Sequence, residues 1–114
     1  MSKIVTARPS FQGDLMLRRI DRLPSGLKGA DAIDGKLVVA HSETGHDHVI
    51  DSRNARMLID ATNAFIAYLD VGATTELTHM RSFDTHAPLT LEPGLYEVRR
   101  QREYVPEGFR RAED

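Results

Sequence analysis

Ser52-Arg-Asn-Ala-Arg-Met-Leu-Ile-Asp60-Ala-Thr-Asn-Ala-Phe-Ile-Ala-Tyr-Leu-Asp70 decides whether this chain is built wholly of strands. Its apolar residues at 57, 58, 61, 65 and 69 are spaced as on one face of a helix. Against that reading, Thr62-Asn63 interrupts the middle, and Phe65, Ile66, Tyr68 and Val71 favour extended backbone. The segment reads as strands, with a short helix over 53–62 as the alternative.

The rest of the chain is cut into pieces of strand length by Gly13-Asp14, Pro24-Ser-Gly26, Asp34-Gly35, Gly45, Asp51-Ser-Arg-Asn54, Gly72, Pro88, Pro93-Gly94 and Pro106-Glu-Gly108. Between these breaks the expected strands are Leu15–Ile20, Lys36–His41, His46–Ile50, Met57–Asp60, Phe65–Val71, Thr75–His79, Leu89–Leu91 and Leu95–Val105. About eight short strands at this spacing predict a mainly-β domain, either a small sandwich or an open barrel. Asp34-Gly35, between Ala32-Ile33 and Lys36-Leu37, predicts a tight hairpin, and Glu92-Pro93-Gly94 predicts a second one. A single domain is expected over 1–114, with 1–13 as an N-terminal arm and the charged residues 109–114 as a frayed tail.

With no cysteine, thiolate nucleophiles and thiolate metal ligands are excluded, so any metal must be held by nitrogen and oxygen. The formal net charge of -2 provides no whole-protein basic field for nucleic acid. No apolar run approaches the length of a membrane span or a signal sequence, so the expected location is cytoplasmic, or virion if the protein is structural to a phage. No Walker loop or dinucleotide fingerprint occurs, and no nucleotide cofactor is expected. Ser42 near His41, or Ser82 near His79, lacks the nucleophile elbow that would support a catalytic triad.

The best functional clue is the histidines, which fall in two windows, His41-Ser-Glu43-Thr-Gly-His46-Asp-His48 and His79-Met-Arg-Ser-Phe-Asp84-Thr-His86. On a strand, His46 and His48 would leave the same face, and His41 and Glu43 could fold back across Gly45. Two histidines and a carboxylate suit iron or manganese with open positions, whereas three histidines suit zinc or nickel. His41, Glu43, His46 and His48 are therefore the first candidate metal ligands, with His79 and His86 as further ones. Whether the two windows meet in space does not follow from their spacing. The same residues are also ordinary loop composition, and they serve equally to satisfy loop hydrogen bonds.

Gly45-His46-Asp47-His48 before a strand, with Pro93-Gly94 in a later turn, resembles pieces of the cupin-type small β-barrels, whose first motif places a His-x-His pair on a strand. The glutamate that this pattern places after the pair is absent, only Asp51 being near, and so is its later histidine. Over a longer stretch, Gly13-Asp14, Leu23-Pro24, the run Val39 to His48 and the ending Pro93-Gly-Leu-Tyr96 through Arg99 to Tyr104 resemble short uncharacterised proteins of bacteria and their phages. That resemblance implies a phage or prophage origin and brings no known reaction.

The last constellation is Tyr96-Glu-Val-Arg-Arg100-Gln-Arg102-Glu-Tyr104, in which alternation places Tyr96, Val98, Arg100, Arg102 and Tyr104 on one face. Arginine beside tyrosine can grip phosphate and stack bases, or anchor a protein interface, while an ion-paired edge strand is the plainer account. Three functions are thus expected in order. The first is a metal-binding β domain of unnamed reaction. The second is a self-associating structural, assembly or virion accessory protein, and the third a nucleic-acid module using Arg100 and Arg102.

Overall fold

In the computed structural model, which describes residues 3–40, 47–79 and 88–100, the segment that could have been a helix is two antiparallel strands, Ala55–Asp60 and Asn63–Val71. The polar residues between them account for the difference. Asp60 Oδ1 accepts from the Thr62 backbone N–H at 2.9 Å and from its hydroxyl at 2.7 Å, and Asn63 Oδ1 accepts from the Phe65 N–H at 3.0 Å. Side chains that bind backbone groups two residues on hold a turn where a helix would have to continue. Beyond the turn, Leu69 and Val71 point into the core and Asp70 lies between them on the other face, which is a period of two.

The described chain runs β1 (Lys3–Ile4), β2 (Ser10–Gln12), β3 (Leu15–Ile20), β4 (Leu27–Gly29), β5 (Lys36–Ala40), β6 (His48–Asp51), β7 (Ala55–Asp60), β8 (Asn63–Val71), β9 (Thr75–His79), β10 (Leu89–Leu91) and β11 (Gly94–Arg100). One sheet has the order β1-β10-β9-β6-β5 and the other β2-β3-β11-β8-β7-β4, so the architecture is a sandwich with no closed barrel. All pairings are antiparallel except β1 with β10. Leu15 and Leu17 of β3, Leu69 and Val71 of β8, and Tyr96 and Val98 of β11 meet Leu37, Ile50, Leu77, Leu89 and Leu91 of the opposite sheet in one core.

Leu15–Ile20, Thr75–His79 and Leu89–Leu91 are strands at their expected bounds. β1, β2 and β4 were not expected. Residues 3–13 supply β1 and β2 and bury Val5, Ser10 and Gln12.

The Asp34-Gly35 turn has both central residues at positive φ, 52° and 75°, with Ile33 and Lys36 exchanging backbone hydrogen bonds at 2.8 and 3.0 Å. That is the twist a two-residue hairpin loop requires. Glu92-Pro93-Gly94 is a turn but not a hairpin, because it carries the chain from β10 in one sheet to β11 in the other. The Tyr96 hydroxyl donates to the Glu92 carbonyl at 2.6 Å, and Arg19 donates to the Pro93 carbonyl at 2.5 Å. A buried tyrosine bonded to a carbonyl a few residues upstream is a recurring lock at sandwich corners. Gly94, at φ 154°, sits where a Cβ would meet the Arg19 guanidinium at 2.6 Å.

On the outer side of the six-stranded sheet, Glu97 is buried between Arg18 (Nε to Oε1, 2.8 Å) and Arg99 (Nη2 to Oε2, 3.1 Å). Burial pushes its carboxyl pKa up, but the hydrogen bonds from the two guanidinium groups outweigh this and hold it below the usual value of 4.5. A depressed folded-state pKa contributes stability above about pH 4.5 that is lost as pH falls through the lower value. Glu97→Gln is expected to lower stability at pH 7 by about 1–3 kcal/mol, since a buried charged partner is removed. Urea denaturation should show the gap from wild type narrowing between pH 7 and pH 3, and a gap unchanged with pH would contradict this account.

Candidate functional site

His48 opens β6 and is 1% exposed, so an imidazole sits inside the sandwich rather than in a loop. Its Cα register partners are Ala40, the last residue of β5, on one side and His79, the last residue of β9, on the other. Strand direction then does what spacing along the chain cannot. β5 and β9 both end here, and β6 and β10 both begin here, so the segments 41–46 and 80–87 leave from neighbouring strand ends. On the opposite sheet the same pole carries Gln12 and Arg100, both register partners of Leu15.

Gln12 is buried and bridges the two sheets. Its Nε2 donates to the Leu77 carbonyl at 3.0 Å, and its Oε1 lies 2.7 Å from His48 Nδ1. A backbone carbonyl can only accept, so the amide nitrogen must face Leu77 and the amide oxygen must face the imidazole. That oxygen can only accept in turn, which places a proton on His48 Nδ1 and, in the neutral ring, a lone pair on Nε2. Metal-ligating histidines are oriented in this manner, one ring N–H held by an acceptor so that the other nitrogen is basic and aimed.

Of the residues singled out from the sequence, His48 and His79 are brought together by register, while His41, Glu43, His46 and His86 lie outside the described residues. Among the described residues there is no group of three or more His, Asp or Glu side chains placed to hold a metal ion. Tyr96 is fully buried, and Val98 beside it is too, so the tyrosine-arginine face is the core face of β11 along that stretch. β11 is moreover a central strand, paired with β3 on one side and β8 on the other, and not an edge. Its arginines are engaged within the domain: Arg99 on Glu97, and Arg100 over the Phe65 ring at 5.8 Å. Arg102 and Tyr104 lie outside the described residues.

Gln12 was not singled out, although a signal exists. It occupies an inward position two residues after the buried Ser10, where an apolar side chain would be usual, and a polar group buried there needs a partner. In the metal-free protein, long-range proton–nitrogen correlation spectra should show neutral His48 protonated on Nδ1. Gln12→Leu, similar in size but without the acceptor, is expected to cost about 1–3 kcal/mol in thermal or urea unfolding. A ring protonated on Nε2 alone would contradict the relay.

No described helix is long and apolar enough to cross a membrane. No curated protein and no solved structure matches the chain. Residues 11–101, from the relay strand β2 to just past β11, match the family described as a domain of unknown function, DUF8820, and the chain belongs to that family.

Proposed function

We propose that the pole from which the two histidine segments leave binds a divalent transition metal ion. His48 is the anchoring ligand, with others drawn from His41, Glu43, His46, His79 and His86. The observation that carries this reading is the pairing of His48 with His79 at the adjoining ends of β6 and β9, which sets one residue of each window side by side. The Gln12 relay supports it, because an acceptor held against Nδ1 orients the His48 ring as second partners orient metal-ligating histidines. A nitrogen and oxygen donor set without thiolate suits zinc, iron, manganese or nickel. A hydrolytic or oxygen-dependent reaction would require one coordination position to stay open.

The test is elemental analysis of untagged protein purified without chelator, alongside His46→Ala and His86→Ala, one variant from each window. Near-stoichiometric metal in the wild type and its loss in both variants is the expected result, with circular dichroism confirming that the variants fold. Absence of metal from the wild type, together with no thermal shift on adding zinc, manganese, iron or nickel, would remove the reading.

A second reading, self-association in a structural or assembly role, is favoured by the outer face of the six-stranded sheet. Phe11 is 59% exposed there beside its register partner Met16, and Ile20, Leu58, Ile66 and Leu95 share that face. Charges of both signs lie among them, Arg56 on Asp70 and Arg18 and Arg99 on Glu97, so the face can meet its own copy without one-sided repulsion. Light scattering after size exclusion should show a dimer at high concentration that Phe11→Asp weakens. A strict monomer across the concentration range would remove this second reading.

A further inference from the structure

A cleft of about 450 Å³ opens between β5 and the β7–β8 hairpin, on the side of the sandwich away from Gln12. Its volume falls within the range of about 300–1,000 Å³ typical of small-molecule sites. Val39 and Ala40 form one wall, Met57, Ile59 and Ala67 the other, and Arg100 lies at the end nearest the histidine pole. Two apolar side chains beside it are exposed, Ile59 at 37% and Phe65, against which Arg100 sits, at 41%.

The polar groups of the lining divide cleanly. Asp60 and Asn63 belong to the hairpin turn, and their side-chain oxygens accept from Thr62 and Phe65 of that same turn. They are directed to holding the hairpin. Among the described residues Arg100 is the one cation of the lining, on the inward side of β11 two residues beyond the buried Val98. Its guanidinium is placed over the Phe65 ring, 5.8 Å from the centroid. A guanidinium has five donors in a planar fork, so it can hold a carboxylate through two of them while keeping other contacts. A largely apolar cleft with such a fork in its lining is complementary to a molecule with a hydrocarbon body and one anionic head.

We infer that this cleft binds a small apolar carboxylate, its hydrocarbon part lying between β5 and the β7–β8 hairpin and its carboxylate on Arg100. The chemistry differs from that of the histidine pole and does not depend on a metal there.

The experiment is isothermal titration of the full chain, in excess chelator, with decanoate and separately with decanol, each below its aggregation concentration. Chelator removes any signal from a carboxylate bound to metal. Decanoate should bind the wild type, and Arg100→Gln should weaken it about tenfold or more, the usual effect of losing a charged hydrogen bond. Decanol should be affected less than twofold by the same change. Ala67→Leu, which fills the cleft without touching the charge, should weaken both ligands, with the thermal unfolding of each variant recorded as a control on folding. No decanoate binding to the wild type would overturn the inference. So would an Arg100→Gln variant that binds decanoate as well as the wild type does, or that loses decanoate and decanol alike.

Discussion

A tyrosine hydroxyl cannot be sealed inside a protein without an acceptor, and the acceptor available to Tyr96 determines how this chain turns from one sheet to the other. Tyr96 is among the largest fully buried side chains, and it bonds to the Glu92 carbonyl at the corner where β10 gives way to β11. With that corner fixed, β11 enters the six-stranded sheet between β3 and β8 and pairs with both along nearly its whole length. Arg19 closes over the same corner, donating to Pro93 and lying 5.9 Å from the Tyr96 ring centroid. The second transfer region is held in a comparable way. Asn54 accepts from Gly72 and Ala73 through its backbone and donates to Thr75 through its side chain, tying the β6–β7 turn to the β8–β9 turn.

Between these corners the described interior is mostly apolar, and at one pole Gln12 and His48 are inserted between the sheets. Burying two polar side chains in a small domain is unfavourable unless each finds its partners, and the relay from Leu77 through Gln12 to His48 supplies them. The relay also specifies the imidazole's tautomer. The bond that satisfies both groups is the one that fixes the tautomer, at the end of β6 that pairs with the end of β9.

Much of this fold was legible because its longer strands announce themselves. Leu15–Ile20 and Thr75–His79 lie between clear breaks and alternate or run apolar as strands do. β1, β2 and β4 have two or three residues each, too few for any period to register, and their place depends on partners elsewhere in the chain. The helix-like spacing at 57, 58, 61, 65 and 69 is the sum of two strand alternations set out of step by the turn at Asp60–Asn63. The Tyr96 to Arg100 alternation was read correctly as a face but could not say which face, since only the neighbours β3 and β8 make it the inner one. The pairing of His48 with His79 is likewise a product of β6 meeting β9, a contact between segments that sequence separates by two sheet crossings.

The parallel pairing of Lys3 and Ile4 with Leu89 and Thr90 joins the first strand of the described chain to its last but one. A contact of that separation forms only after the intervening backbone has been ordered, because the entropy of closing so long a loop must be met before the strands gain anything from meeting. During synthesis, the amino-terminal strand must therefore wait, unpaired on that edge, until nearly all of the domain has left the ribosome. Completion of the five-stranded sheet is thus a late event, and the nascent chain is the form in which this edge is open to the wrong partner.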